Sequence, residues 1–258
     1  MKNRIKALLQ RVLGYRRFLR LFAWFKVKTL HLDSREDDFF AFRALLPEDG
    51  LVLDIGANLG FLTAHLARHV KRGRVIAFEP MPDNLHALNN LVRTFDLRNV
   101  TIEPCAVGDR DGEVEMLLPV IGTARQQGLG HVVRGTTGVN GEGIRCAVAS
   151  RRLDGIEYLF AGDAKVTGIK IDVEGDEQFV LAGAERLVFT HRPLIYLELG
   201  EPDNKRTCLE LFERWGYEVM VNVNGAHQPY DPSVHAGRIN YLARPLAVSS
   251  PEPRGAGR

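Results

Sequence analysis

The chain has 258 residues, a formal net charge of +2 and 45% hydrophobic residues. That composition is ordinary for a globular protein with one sizeable core and appendages, and no apolar run approaches the ~20 residues that a bilayer crossing needs. Three scattered cysteines, Cys105, Cys146 and Cys208, form no Cys-x-x-Cys pair; they argue against a disulfide framework and for small buried residues in a reducing, cytoplasmic compartment.

Residues 1–32 hold nine bases, among them Lys6, Arg11, Arg17, Arg20 and Lys28, and no acid. Ile5, Leu8, Leu9, Val12, Tyr15, Leu19 and Phe22 fall at helical spacing, so the pattern predicts a basic amphipathic helix over residues 1–28, bent at Gly14. The start lacks both a clean apolar h-region and a small-residue cleavage site, and does not read as a signal peptide. Three roles compete for this helix: a lid packed on the core, a peripheral contact with the anionic inner face of a membrane, and a subunit contact. Residues 34–46 read as a short helix, which makes residues 1–46 an N-terminal extension.

From residue 47 to 244 strands alternate with helices. Core strands are expected at 51–55, 74–79, 99–104, 166–172 and 193–199, and helices at 60–71, 83–95, 175–188 and 203–215. Two closing strands, 217–223 and 238–244, are placed to pair antiparallel at one edge. The fold class is therefore α/β, a doubly wound and mostly parallel sheet with an antiparallel edge strand. Short strands at 113–118 and 144–149 flank residues 119–143, a Gly-, Gln-, Thr- and Arg-rich stretch without a helix signal. It is expected to be a long loop on the substrate side. Residues 245–258 read as a tail too poor in apolar residues to fold.

The chemistry starts at Leu51-Val-Leu-Asp-Ile-Gly-Ala-Asn-Leu-Gly60, an apolar strand feeding a glycine-rich turn that opens a helix. About twenty residues after such a loop, nucleoside-binding α/β folds place an acid that holds ribose hydroxyls, and Glu79 stands there. The glycines are spaced Gly56-x-x-x-Gly60, unlike a dinucleotide loop, and Asp54 adds negative charge. An anionic loop suits a cofactor with ammonium and sulfonium groups and no phosphate, such as S-adenosylmethionine. Asp172 and Glu198 end two further strands, with Glu174 two residues beyond Asp172. In open α/β sheets ligands bind beyond these strand ends, at the point where strand order reverses.

The segments Leu53-Asp-Ile-Gly-Ala-Asn-Leu-Gly60, Phe78-Glu-Pro-x-Pro-x-Asn84, Ala106-Val-Gly108, Leu153-Asp154, Ile169-Lys-Ile-Asp-Val-Glu-Gly175 and Pro193 to Glu198 together resemble the FkbM-type family of S-adenosylmethionine-dependent methyltransferases. The resemblance spans about residues 50–200. It implies a seven-stranded Rossmann-like sheet and O-methylation of a hydroxyl, often on a sugar or polyketide. It also implies that Asp54, Gly56, Asn58 and Gly60 line the methionine part of the cofactor, that Glu79 holds the ribose, and that Cys105 and Ala106 flank the adenine, with Asn84 in support.

A hydroxyl is a weak nucleophile, so a positioned base helps methyl transfer. Asp172 is the first candidate, with Glu174 and Glu198 as alternatives; the three are also hard oxygen donors that suit a divalent cation, although no metal is assigned. Lys170, on the face opposite Ile169 and Ile171, reads as a strand-end snorkel, with contact to an acidic group as the alternative, and His65 and His69, four apart on a helix, read as surface histidines. The expected acceptor is a small molecule or glycan. A nucleic-acid methyltransferase lacks its Asn/Asp-Pro-Pro-Tyr-like segment here, and a lapsed cofactor-binding protein is the non-enzymatic rival.

Overall fold

A computed structural model describes residues 2–121, 124–125, 129–133, 143–162 and 165–247. In chain order the elements are α1 (Lys2–Leu13), α2 (Tyr15–Thr29), α3 (Asp37–Ala44), β1 (Leu51–Ile55), α4 (Phe61–His69), β2 (Arg74–Phe78), α5 (Pro82–Thr94), β3 (Val100–Glu103), β4 (Ala106–Val107), β5 (Gly112–Ile121), β6 (Ala124–Arg125), β7 (His131–Val132) and β8 (Gly143–Arg151). They continue with β9 (Val166–Ile171), α6 (Glu177–Ala182), α7 (Glu185–His191), β10 (Leu194–Glu198), α8 (Pro202–Arg214), β11 (Tyr217–Val223), β12 (Ala226–Pro229), α9 (Pro232–His235) and β13 (Asn240–Pro245).

The central sheet runs β12-β11-β13-β10-β9-β1-β2-β3. The strands from β3 to β10 are parallel, and β13 runs antiparallel between β10 and β11. The chain leaves β1 toward β2 and β3, then returns to its other side with β9 and β10. The order therefore reverses between β1 and β9, and the crevice at their carboxyl ends is the natural ligand position. The sheet has eight strands where seven were expected, and its antiparallel edge is β12. The extra strand is a hairpin partner of β11, made by Asn224 and Gly225 with φ of 52° and 87°, the positive pair that a two-residue hairpin turn requires.

Both sheet faces are covered, which explains the near-continuous burial of β1 and β9. One face packs under α6, α7 and α8 around Ile55, Ile169, Leu187, Leu197 and Phe212. The other packs under α2, α3, α4 and α5 around Leu19, Phe39, Phe42, Leu66 and Tyr196. The predicted N-terminal helix is divided at Gly14, whose φ is 75°. Its second half, α2, buries Phe18, Leu19, Ala23 and Val27, so the extension shares the core of the central sheet. Burial of Phe18, Leu19 and Val27 stabilises by about 1.5–3 kcal/mol each.

The helix expected over 175–188 is two helices. Between them, an added Cβ on Gly183 would meet the Gly108 carbonyl oxygen at 2.0 Å, so a second chain segment occupies the helix's path. Asp154 restarts the helix by accepting from the Arg186 and Leu187 N–H groups at 2.9 Å each, which gives that family-motif residue a capping role. The described part of 119–143 is not structureless: β5 and β8 form a long antiparallel pair, and β6 and β7 both pair with β5, while 122–123, 126–128 and 134–142 lie outside the described residues. The predicted tail lies outside the described residues from 248 onward.

Candidate active site

Two cavities open at the carboxyl ends of the central strands, and Asp172 lines both. The first, a hollow, is walled by Gly56 and Asn58 from the β1–α4 loop, Glu79 after β2, Cys105 and Ala106 after β3, and Asp172 to Glu174 after β9. Gly56 is indispensable there, because an added Cβ would sit 1.9 Å from the Asp172 carbonyl oxygen. The loop is thus pressed against the end of β9. Its Asn58, at φ 53°, takes the left-handed conformation that asparagine tolerates.

Glu79 anchors the hollow. Its Oε2 accepts from the Asn58 N–H at 2.8 Å, and its Oε1 accepts from the Met81 N–H at 2.8 Å and from Asn84 Nδ2 at 3.2 Å. Burial pushes its pKa up to about 7, outweighing the three donors that pull it down. A carboxylate offers about four acceptor positions, so one remains for a ligand hydroxyl. The buried Asn58 Oδ1 has no partner among the described residues, a second unspent acceptor in the same wall.

The raised Glu79 pKa sets the sign of a stability effect. The carboxyl's ordinary value is 4.5. Between there and about 7 the folded state keeps a proton that the unfolded chain has released. Stability from this group is complete below the ordinary value and is lost as pH rises through about 7. Glu79→Gln should remove on the order of 1–3 kcal/mol of pH dependence between the ordinary value of 4.5 and about pH 7, with melting of the unliganded protein as the measurement. Equal slopes in the two proteins would contradict it.

Asp54 departs from its expected place. It is fully buried, beneath the loop and not among the lining residues of either cavity. The Thr63 hydroxyl donates to it at 2.6 Å. Lys170 lies at 3.3 Å, since β1–β9 register sets these two residues side by side. Gly60 is corrected in the same way: at φ 84° it precedes α4, packed against Leu88, and it does not reach the hollow. Lys170 is the residue that sequence reasoning undervalued. It is not a snorkelling surface group but 1% exposed, donating to the Gly56 carbonyl at 2.8 Å and pairing with Asp172 at 3.5 Å. Burial acts to lower its pKa, yet the carboxylates of Asp54 and Asp172 prevail and the net shift is upward. A lysine between Ile169 and Ile171 of a buried-type strand was the available signal.

The turn after β9 is held by Glu177, whose Oε1 accepts from the Val173 and Gly175 N–H groups and whose Oε2 is bonded to Asn204. Glu174 is exposed at the hollow's mouth at φ 59°. Loss of water and the nearby Asp172 and Glu198 push it up to about 8. The histidines serve structure: His65 is buried against the Phe40 ring, and His69 Nε2 meets the Leu46 carbonyl at 2.8 Å.

The second cavity, of about 970 Å³, lies on the far side of Asp172 and is lined by Glu36, Asp37 and Asp38 before and in α3, Tyr196 and Glu198 of β10, Asn222, and residues 238–240. Among the described residues four cations line it, Lys26, Arg35, Lys170 and Arg238; Lys26 and Arg35 are held by Asp33 at 3.2 and 2.7 Å, and Lys170 lies between Asp54 and Asp172. Loss of water, then the neighbouring Asp172 and Glu177, push Glu198 up to about 7. The buried Asn222 Oδ1 has no partner among the described residues. The walls thus come from the N-terminal extension and the β11–β13 region. From 119–143, Gly130 and Val132 instead cover the hollow.

The Methyltransferase FkbM domain profile matches residues 54–219, more than half of the chain. Among curated proteins, the chain is 25% identical to the AMB antimetabolite synthetase AmbE of Pseudomonas aeruginosa over 82% of this chain and 12% of that protein. It is 22% identical to Methyltransferase 1 of Beauveria bassiana over 69% of this chain and 76% of that one. Among solved structures, the fold is shared with the methyltransferase FkbM from Methylobacillus flagellatus, at a TM-score of 0.51 and 19% identity, covering 78% of this chain and 45% of that one. The chain therefore spans only a small part of the synthetase and under half of the solved methyltransferase.

Proposed function

The chain belongs to the FkbM methyltransferase family, and from that premise we propose that it transfers the methyl group of S-adenosylmethionine to a hydroxyl of a sugar, glycolipid or other small natural product. The observation that carries this reading is the charge of the hollow. Among the described residues its lining includes Glu79, Asp172, Glu174 and Asp176 and no lysine or arginine. A wall of carboxyl oxygens without a basic side chain offers a phosphate no partner and suits a ligand with positive groups and hydroxyl donors. Glu79, with its remaining acceptor position, would hold the ribose hydroxyls, and Cys105 and Ala106 would flank the adenine. In this structure the hollow is narrow, about 60 Å³ against the ~300–1,000 Å³ of ordinary ligand sites. Met81, Met116 and Val132 are among its lining residues, and methionine side chains are flexible enough to let the hollow widen around a nucleoside.

When bound, the cofactor supplies an electrophilic methyl on a sulfonium. The protein's part is alignment, desolvation and removal of the hydroxyl proton. Asp172 stands at the junction of the two cavities and orients the acceptor hydroxyl. Its carboxylate is paired with the Lys170 ammonium at 3.5 Å. Glu198, raised to about 7, is poised to take the proton. A cavity rich in acceptors, with Asn222 Oδ1 unspent, favours a polyol over an apolar acceptor.

Glu79→Gln should weaken S-adenosylmethionine binding by roughly 10–100-fold, the worth of a charge-assisted hydrogen bond, measured by calorimetry. A labelled-methyl screen over sugars and lipid-linked glycans tests the reaction itself. Label on hydroxyl oxygen of one of them supports the proposal. Label in RNA, or cofactor binding with no transfer to any acceptor, contradicts it.

A further inference from the structure

The outward side of α2 is not the polar face that a surface helix normally presents. Its inward face is fully used on the core, yet Leu21, Trp24 and Phe25 remain 55%, 48% and 55% exposed, interleaved with the exposed Arg17 and Lys28. Between α2 and α5 lies a groove of about 320 Å³ with an almost wholly apolar wall, formed by Leu21, Trp24, Leu91 and Phe95 and rimmed by Arg17 and Arg20. Lys28 and Arg68 approach the Phe95 ring at 5.6 and 4.8 Å, which adds two cations at the groove's end. The acids near its ends, Asp83 and Asp96, are already paired with Arg16 and Arg98. On α1, beyond the Gly14 break, Leu8 and Val12 are also exposed. No described helix is long and apolar enough to cross a membrane.

Apolar and aromatic side chains interleaved with unopposed arginine and lysine match the two layers of an anionic lipid surface, acyl boundary and phosphate headgroups. We infer that α2, with the groove it shares with α5, docks this protein onto a bilayer containing anionic phospholipid. A soluble acidic protein is the poorer match, because it would leave Leu21, Trp24 and Phe25 against a polar surface. The inference does not depend on the identity of the methyl acceptor.

The test is sedimentation of the full chain with vesicles of phosphatidylcholine, with and without phosphatidylglycerol. The emission of Trp24 serves as a second readout, because Trp215 is buried. Binding is expected only with phosphatidylglycerol, weakening as salt rises and shifting Trp24 emission to the blue. Each cation at an anionic surface strengthens binding about fivefold, so Arg17→Glu/Arg20→Glu should weaken it at least ~25-fold with melting unchanged. Trp24→Phe should still sediment but lose the emission shift. Failure to sediment at low salt, or sedimentation unaltered in the double variant, would overturn the inference. So would a concentration-dependent dimer that buries Trp24 in place of vesicle binding.

Discussion

Lys170→Met is expected to destabilise the protein by about 3–5 kcal/mol, the usual consequence of leaving one member of a buried ion pair without its partner. Asp54 is fully buried and Lys170 nearly so. With the ammonium gone, Asp54 keeps only the Thr63 hydroxyl, and the Gly56 carbonyl loses its 2.8 Å donor. For a chain of this length the melting temperature should fall by roughly 10 °C. Asp54→Asn/Lys170→Met should recover part of that loss, because it removes the stranded charge. The effect is structural first: the lysine clamps the glycine loop to β9, and the hollow's shape follows from that clamp. A Lys170→Met protein within about 1 kcal/mol of the parent in urea unfolding would refute the clamp.

The second large effect concerns turnover. Glu198→Gln should lower kcat by about 10²–10⁴-fold, the ordinary worth of a general base, with S-adenosylmethionine affinity nearly unchanged. The base must be ionised to act, so the parent's rate should climb as pH rises through about 7, the value to which Glu198 is pushed. The variant should lose that limb. Asp172→Asn should raise the acceptor KM as well as lower kcat, since the carboxylate lines both cavities. If Glu198→Gln keeps the limb near pH 7 while Asp172→Asn or Glu174→Gln abolishes it, the base belongs to that other residue.

Much of the site was legible because its signals are local. The apolar run of β1, the Gly56-x-x-x-Gly60 spacing and Glu79 lie within about thirty residues, and strand-end acids point to one rim by topology alone. Glu79 and Asp172 do line a single hollow. Pairings across strands were hidden. Nothing in the β1 segment says that Asp54 faces Lys170; that follows from β1–β9 register, set by residues more than a hundred positions apart. The split between α6 and α7 depends on the Gly108 backbone crossing at Gly183, a tertiary cause with no local trace. Much of the larger cavity's wall beyond the strand ends comes from residues 34–41 and 222–240, two distant segments that only the folded chain joins. The β12 hairpin is a different case, since Asn224-Gly225 is a strong turn signal that was present in the sequence and passed over.

The central claim is that an acid-lined hollow at the β1–β9 switch point takes an adenosyl sulfonium. Titration calorimetry with S-adenosylmethionine and with a pyrophosphate dinucleotide, on the parent and on Glu79→Gln, tests it most directly. The account predicts saturable binding of S-adenosylmethionine alone, lost or sharply weakened in the variant. Dinucleotide binding, or S-adenosylmethionine binding that Glu79→Gln leaves untouched, would contradict it.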